Sequence, residues 1–217
     1  DVYTRTLEQA GLQPADIDGI AATILPGLSG SLVVGLSFSK ALALSLNVPL
    51  VGVNHILAHL YAPHLEYDLD YPFLGLLVSG GHTLIARVHG VDEMEVIGTT
   101  VDDACGEAFD KVAKHYELGY PGGVAIDRLA RGGNENAFRF PDATLSKGEH
   151  RYDVSYSGLK TAVINQLDQF WDGESARSPE NIAASFQRAA IDMLVRRLFR
   201  AVEDTGIRRV VAGGGVA

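Results

Sequence analysis

The sequence predicts an α/β protein in which strands run into glycine-rich turns that are followed by helices. One such unit spans residues 17–46, where an apolar run leads through Gly27 and Gly30 into a helical segment. A glycine turn opens another helix at 119–129, and a last apolar run meets Gly213. Repeated units of this kind indicate a nucleotide-binding protein with a ligand held between two lobes.

The composition is that of a soluble globular protein from a reducing compartment. The chain has 217 residues, 47% of them hydrophobic, and a formal net charge of −9. This charge disfavours a mainly electrostatic nucleic-acid binder, but it leaves room for a local basic patch or a partner that supplies the basic surface. The lone Cys105 precludes an internal disulfide and is expected to be a packed thiol. Because no signal peptide or apolar stretch of spanning length is evident, we expect a cytoplasmic protein with no membrane contact.

The polar, proline-containing link Asp68–Pro72 is the expected lobe boundary. We assign residues 1–70 to the remainder of an N-terminal lobe and residues 71–217 to a second lobe. Both ends are expected to be truncated, since the chain lacks a starting methionine and its last strand enters a turn that should open a helix.

In the first lobe, a helix rich in leucine and alanine is predicted over Leu32–Leu46. This composition predicts burial on more than one face. Ser29 or Ser31 is a plausible N-cap, and the backbone N–H groups there could also bind an anion.

The next strand, residues 48–53, leads into a helix that carries His55 and His59. Their i,i+4 spacing projects both imidazoles from one helix face, so that they could chelate one divalent metal. Two histidines packed near a strand–helix junction would show the same spacing. His64 and His82 could join this site or be unrelated to it.

The second lobe begins with a predicted buried strand, Phe73–Val78, that ends in Ser79-Gly80-Gly81-His82. Further strands are expected at residues 84–88 and 95–99. The two glycines would let a ligand approach the backbone closely, but a plain β-hairpin turn explains them as well.

A helix running to about Tyr116 is predicted next, with Thr100 or Asp102 as its cap. Three of its polar residues share a face at i, i+3 and i+4: Glu107, Asp110 and Lys111. A solvated ion-pair face is the ordinary interpretation, and a face that holds a ribose or a metal-bound water is the alternative.

The turn Gly119–Gly123 opens a helix that carries Asp127 one turn in. A carboxylate near backbone donors suits the hydroxyl groups of a nucleoside sugar. A further helix is predicted from Ser155–Thr161 to about Phe170; its Lys160 could reach a phosphate, although an exposed lysine is commoner at a helix start.

A long amphipathic helix is predicted over Asn181–Asp204, after a start signal at Ser178-Pro179. It carries four basic residues: Arg188, Arg196, Arg197 and Arg200. They form either a solvated face or a contact to RNA or a protein partner. Arg139 and Lys147, in a polar irregular segment, are also available to a partner.

Six motifs occur in the order typical of one protein family. They are His55–His59, Leu77–Thr83, Asp102–Lys111, Tyr120–Gly123, Ser155–Thr161 and Ala212–Val216. In these motifs the chain resembles the TsaD family, the tRNA N6-adenosine threonylcarbamoyltransferases once labelled O-sialoglycoprotein endopeptidases. Tyr120–Gly123 and Leu77–Thr83 look bacterial, whereas Leu57-Ala58 resembles the archaeal and eukaryotic form; on balance we expect a bacterial member.

The resemblance implies an actin-like ATPase fold of the sugar kinase and Hsp70 type, with two ribonuclease-H-like lobes of mixed sheets and flanking helices. It implies transfer of the threonylcarbamoyl group from threonylcarbamoyl-AMP to N6 of adenosine 37 in tRNAs that read ANN codons. His55 and His59 match the family's metal ligands, for one divalent Fe²⁺ or Zn²⁺ per subunit. The matching substrate-contact positions are Leu77, Val78, Ser79, Gly80, Gly81, Asp110, Gly123 and Asp127. The implied partners, for a bacterial member, are tRNA, a TsaB-like paralogue and a TsaE-like ATPase.

Some family features are not in this sequence. An N-terminal phosphate loop, an aspartate metal ligand and an asparagine after the last glycine loop are expected to lie outside residues 1–217. A metalloendopeptidase is the first alternative function, but the zincin pattern needs a glutamate between the histidines, where this chain has Ile56, Leu57 and Ala58. A non-catalytic actin-like nucleotide-binding scaffold is the second, and it would leave the histidine pair unexplained.

Overall fold

The computed structural model describes residues 2–142 and 150–217, so Lys147 lies outside the described residues. The chain forms two compact units, residues 1–61 and 62–217. The lobe boundary expected after residue 70 remains a prediction.

The first unit contains a parallel two-stranded sheet and three α-helices. Along the chain these are α1 (Val2–Ala10), β1 (Ile20–Leu25), α2 (Ser29–Leu46), β2 (Leu50–Asn54) and α3 (His55–Tyr61), with a short 3-10 helix at Pro14–Asp16. Strands β1 and β2 pair in parallel, with Ile20 opposite Leu50, and α2 makes the crossover between them. The predicted strand–turn–helix unit is therefore present here.

Helix α2 differs from its prediction in two respects. Its N-cap is Leu28, whose side chain cannot accept a hydrogen bond, so the expectation of a Ser29 or Ser31 cap is wrong; Ser29 is already the first helical residue. Ala43 is its only buried residue, while Val34 and Leu44 are exposed, so burial on several faces is also wrong. Leucine and alanine favour a helix but do not by themselves decide what packs against it.

By length and composition, α2 is apolar enough to cross a membrane, contrary to the expectation that no such stretch exists. A single helix of this kind is weak support for a membrane span, because core helices of soluble proteins pass the same criteria.

The second unit is built around a mixed four-stranded sheet. Its strands are β3 (Phe73–Val78), β4 (Thr83–Gly90), β5 (Glu93–Thr99) and β6 (Val210–Gly213), in the spatial order β5-β4-β3-β6. Strands β3, β4 and β5 pair antiparallel, and β6 joins β3 in parallel. The three strands predicted between residues 73 and 99 are thus confirmed, together with a glycine hairpin turn between the first two.

Among the described residues of this unit, five α-helices accompany the sheet. They are α4 (Cys105–His115), α5 (Gly122–Ala130), α6 (Tyr156–Asn165), α7 (Leu167–Phe170) and α8 (Pro179–Thr205), and a 3-10 helix spans Ala62–Leu65. Every residue of β3 is buried. The core below the sheet includes Phe109 of α4, Tyr156 of α6 and Phe186 of α8, and the Phe109 and Phe186 rings lie 4.8 Å apart. Continuous apolar strands of this kind are typical of sheets covered by helices.

The helix starts were predicted with mixed success. Ser178 caps α8 as expected, accepting a hydrogen bond from the Asn181 N–H at 3.3 Å. The capping prediction for α4 is wrong, because Ala104 occupies the N-cap position. The helix predicted to reach Phe170 breaks at Gln166 into α6 and α7.

Asp102 instead caps α6, which lies more than fifty residues away in sequence. It accepts hydrogen bonds from the Ser155 hydroxyl at 2.5 Å and from the Tyr156 and Ser157 N–H groups at 2.8 and 3.2 Å. Burial acts to raise the pKa of Asp102, but these hydrogen bonds outweigh it and lower the pKa. The carboxylate thereby fastens the segment between β5 and α4 to the start of α6.

Candidate functional site

The histidine pair of the first unit has the geometry predicted for it. Asn54 caps α3 by accepting a hydrogen bond from the Ile56 N–H at 2.9 Å, so the helix begins at His55. The His55 and His59 rings lie 4.5 Å apart between centroids, in an edge-to-face arrangement. Imidazoles this close on one helix face fit two ligand positions of a single divalent ion.

In the part of the chain that the structure describes, no further metal-binding side chain joins this pair. Within residues 2–142 and 150–217, no group of three or more His, Cys, Asp or Glu side chains could hold a metal ion. His64 lies instead among aromatic rings, 5.5 Å from Tyr71 and 6.0 Å from Phe73. The metal-ligand role of His55 and His59 remains a prediction.

The second unit contains an open cavity of about 660 Å³ at the loop ends of its strands. Its walls come from β3, the turn after β3, α4, α5, α8 and the turn after β6. Of the predicted substrate-contact residues, five line it: Val78, Gly80, Asp110, Gly123 and Asp127. Leu77, Ser79 and Gly81 do not line it. Their roles remain predictions.

The turn after β3 is held closed by Ser79 and His82. The Ser79 N–H donates to the His82 carbonyl at 2.8 Å, and the His82 N–H donates to the Ser79 hydroxyl at 3.0 Å. The N–H groups of Gly80 and Gly81 make no hydrogen bond to the described residues. Gly106 of α4 packs so closely here that a Cβ on it would lie 2.7 Å from the Gly80 Cα. Glycine at position 106 lets the start of α4 approach the turn.

Asp110 joins α4 to the start of α5. Its Oδ1 accepts a hydrogen bond from the Gly122 N–H at 2.7 Å. A Cβ on Gly122 would lie 2.6 Å from the Asp110 Cα and 2.7 Å from the Ala113 Cβ, so the two helices can meet only through glycine. Gly123, the next residue, has open space around it and faces the cavity.

Asp127 lies one turn into α5, as predicted, and its carboxylate is held on both oxygens. The Arg131 Nη2 donates to Oδ2 at 2.8 Å, and the Gln187 Nε2 of α8 donates to Oδ1 at 3.2 Å. The hydrogen bonds from Gln187 and Arg131 lower the pKa of Asp127. Asp127 is therefore an oriented anion at the cavity wall.

The sequence did not point to the cavity residues supplied by α8. Gln187, Ile191 and Val195 recur every four residues along this helix and line the cavity. Ile191 and Val195 are 45% and 36% exposed, although their spacing resembles that of core residues. An exposed apolar residue cannot be told from a buried one by helical periodicity alone.

Cys105 lines the cavity as a buried thiol rather than as a nucleophile. Burial raises its pKa to about 11. At neutral pH the thiolate is therefore rare, in agreement with the predicted packing role.

The lysines of α4 and α6 converge on Asp103. Lys111 and Lys160 lie 2.5 and 2.7 Å from its carboxylate oxygens, and Lys111 also pairs with Glu107 at 2.8 Å. Burial acts to raise the pKa of Asp103, but the two lysines lower it overall. The predicted ion-pair face of α4 is confirmed for Lys111. Lys160 of α6 pairs with the same carboxylate, that of Asp103.

The arginines of α8 are paired with acidic or carbonyl oxygens. Arg188 pairs with Glu135 and Asp192, and Arg196 pairs with Asp142 and Asp192. Arg197 is buried against Asp142, and Arg200 donates to the Arg151 carbonyl. This favours a stabilising role over an RNA contact.

The mixed sheet and its strand–turn–helix units define a protein of the actin-like ATPase fold, in which two carboxylates line one cavity. The activator of the 2-hydroxyisocaproyl-CoA dehydratase from Clostridium difficile, solved with bound ADPNP, shares this fold. The superposition covers 99% of this chain and 65% of the activator chain, with a TM-score of 0.50 and a sequence identity of 14%.

The chain belongs to the TsaD family of tRNA N6-adenosine threonylcarbamoyltransferases, whose family model matches residues 1–217. Curated relatives of that name include those of Treponema denticola, 61% identical over 216 residues, and Borreliella burgdorferi, 52% identical over 216 residues. A third curated relative of that name, from Treponema pallidum, is 57% identical over 211 residues, which is 97% of this chain. The chain spans 64%, 62% and 60% of the length of these three relatives.

Proposed function

We propose that this protein transfers the threonylcarbamoyl group from threonylcarbamoyl-AMP to N6 of adenosine 37 in tRNAs that read ANN codons. The chemistry of the 660 Å³ cavity supports this best. Asp110 and Asp127 offer acceptors for sugar hydroxyls or a base amine, and Val78 and Ile191 offer an apolar surface. Among the described residues, no lysine or arginine lines the cavity. Such a lining suits a nucleoside monophosphate better than a polyphosphate, which normally requires cations.

In this reaction the N6 amine attacks the carbamoyl carbon, a C–N bond forms, and the bond from that carbon to the phosphate oxygen breaks. AMP leaves and the amine loses a proton. No protein nucleophile is needed, in keeping with the inert state of Cys105. The N–H group of Gly80, which lines the cavity and makes no hydrogen bond to the described residues, would stabilise negative charge on the leaving phosphate or on the carbamoyl oxygen. Asp127 would orient the ribose.

His55 and His59 would hold the divalent metal, Fe²⁺ or Zn²⁺, since their rings fit two ligand positions. When bound, such an ion supplies Lewis-acid polarisation of a carbonyl oxygen. The pair suits this role better than peptide hydrolysis, because Ile56, Leu57 and Ala58 provide no general base between the histidines.

The proposed setting is the cytoplasm, with tRNA bound by an assembly rather than by this chain alone. The net charge of −9 and the pairing of the α8 arginines with acidic residues limit the electrostatic attraction of RNA. A TsaB-like paralogue and a TsaE-like ATPase are the proposed partners.

Mass spectrometry of tRNA nucleosides tests the activity most directly. A bacterial strain depleted of its own enzyme is complemented with the full-length gene, and the threonylcarbamoylated adenosine is quantified. We expect the modified nucleoside to return to the level of the undepleted strain. Its absence, with the protein present in the soluble fraction at the native level, would refute the proposal.

A further inference from the structure

Asp127 is held from two sides by residues of very different origin. Arg131 follows it by one helical turn, whereas Gln187 comes from α8, sixty residues further along. Each of these two hydrogen bonds uses one lone pair of a carboxylate oxygen. About one lone pair on each oxygen is left to accept a further hydrogen bond. The plane of the carboxylate is fixed by two donors and cannot rotate freely.

Gln187 is not well explained as a stabilising residue. Its Oε1 is buried and has no hydrogen-bond partner among the described residues. A buried acceptor without a donor is unfavourable, and an apolar side chain of similar length would avoid that cost. The Gln187 side chain provides an N–H donor at this position, and this N–H group donates to the Asp127 carboxylate.

We propose that Gln187 is a positioning residue that orients the Asp127 carboxylate to accept hydrogen bonds from the ribose hydroxyls of the adenylate. This inference rests on the proposed function, since it assumes that the cavity binds the adenylate. Gln187 and Asp127 both line the cavity, so the oriented carboxylate is within reach of a ligand there. The remaining acceptors on two adjacent oxygens match the two vicinal hydroxyls of ribose.

Arg131 contributes less to this orientation than Gln187. Its side chain is 76% exposed, and its ion pair with Asp127 is of the surface type. Exposed pairs of this kind are screened by water and are free to rearrange. Gln187 is more buried and comes from a different element, so it ties the carboxylate to the cavity wall.

Calorimetric titration of the full-length protein with AMP and with 2′,3′-dideoxy-AMP, which lacks both ribose hydroxyls, tests the proposal. The wild type should prefer AMP by at least about tenfold, the value of one hydrogen bond to a charged group. Gln187→Met keeps the length of the side chain but removes the donor. It should reduce the preference to that of Asp127→Ala while changing the affinity for 2′,3′-dideoxy-AMP by less than about twofold. Arg131→Met should cause a smaller loss of the preference.

Gln169→Met is the matched control, because Gln169 is exposed on α7 and does not line the cavity. It should keep the wild-type preference. Thermal unfolding of Gln187→Met should show no fall in its midpoint, since the unpaired Oε1 is removed as well.

The outcomes separate this inference from the proposed function. A Gln187→Met variant that keeps the full preference for AMP would overturn the positioning role. An equal loss of affinity for AMP and 2′,3′-dideoxy-AMP would also overturn it, because a merely structural defect acts on both ligands. A wild-type protein that binds neither nucleotide would instead reject the adenylate site itself.

Discussion

The histidine helix of the first unit and the cavity of the second unit are built in opposite ways. His55 and His59 lie on one short helix, and their 4.5 Å separation follows from the helical repeat alone. The cavity takes its walls from β3, α4, α5, α8 and the turn after β6, so its residues are separated by more than a hundred positions in sequence. The first region therefore depends on local spacing, and the second depends on how closely its helices pack.

Removing the histidine pair should have the largest effect. In the double variant His55→Ala, His59→Ala, metal affinity should fall by more than about 100-fold, which is the upper value for loss of an outer-shell partner. Threonylcarbamoyl transfer should fall to background with it. Metal content by plasma mass spectrometry and a reconstituted transfer assay measure the two effects.

His89→Ala is the control, since His89 is exposed on β4. It should keep both metal and activity. Full transfer by the double variant would show that the local histidine pair is not part of the reaction.

A methyl group at Gly122 should break the packing on which the cavity depends. Gly122→Ala would place a Cβ 2.6 Å from the Asp110 Cα, and we expect it to lower the free energy of unfolding by about 1–3 kcal/mol. Gly123→Ala has open space around its Cβ and should leave stability unchanged or raise it by about 0.5–1 kcal/mol. Urea unfolding of both variants gives the comparison. Equal destabilisation of the two would contradict the close approach of α4 and α5.

Removing the Asp102 cap should cost less, because a single helix cap is lost. We expect Asp102→Ala to lower the free energy of unfolding by about 1 kcal/mol. Since hydrogen bonds lower the folded-state pKa of Asp102, its contribution is fully present above the unfolded value of 3.8 and is lost as the pH falls through the folded value.

Urea unfolding at several pH values measures this effect. The difference between wild type and Asp102→Ala should be constant near neutral pH and should shrink below pH 3.8. Asp68→Ala, at an exposed position, should match the wild type throughout. A difference that does not change with pH would mean that the charge of Asp102 does not contribute to the cap.

The features read correctly from sequence were those with short-range causes. The strands at 73–99, the Ser178 start of α8 and the spacing of His55 and His59 follow from local periodicity and capping chemistry. The glycines of the Gly119–Gly123 turn were also recognised from sequence as a helix start.

The features that were missed depend on partners distant in sequence. Asp102 was expected to cap the helix that follows it, but it caps α6, because the fold brings Ser155 and Tyr156 to its carboxylate. Likewise, Lys160 pairs with Asp103 instead of being free to bind a phosphate. A carboxylate or ammonium group pairs with whichever partner the fold brings near it. The local sequence pattern therefore does not predict that partner.

The sequence by itself determined the α/β class, the family motifs and the positions of the histidines and carboxylates. The tertiary structure decided which of those residues meet: Asp110 with Gly122, Asp127 with Gln187, and the apolar side chains of α8 with the cavity. The physical reason is the sequence distance over which each interaction acts. Helical and strand periodicity act over a few residues, whereas a cavity wall is set by close packing between elements whose contacts only folding creates.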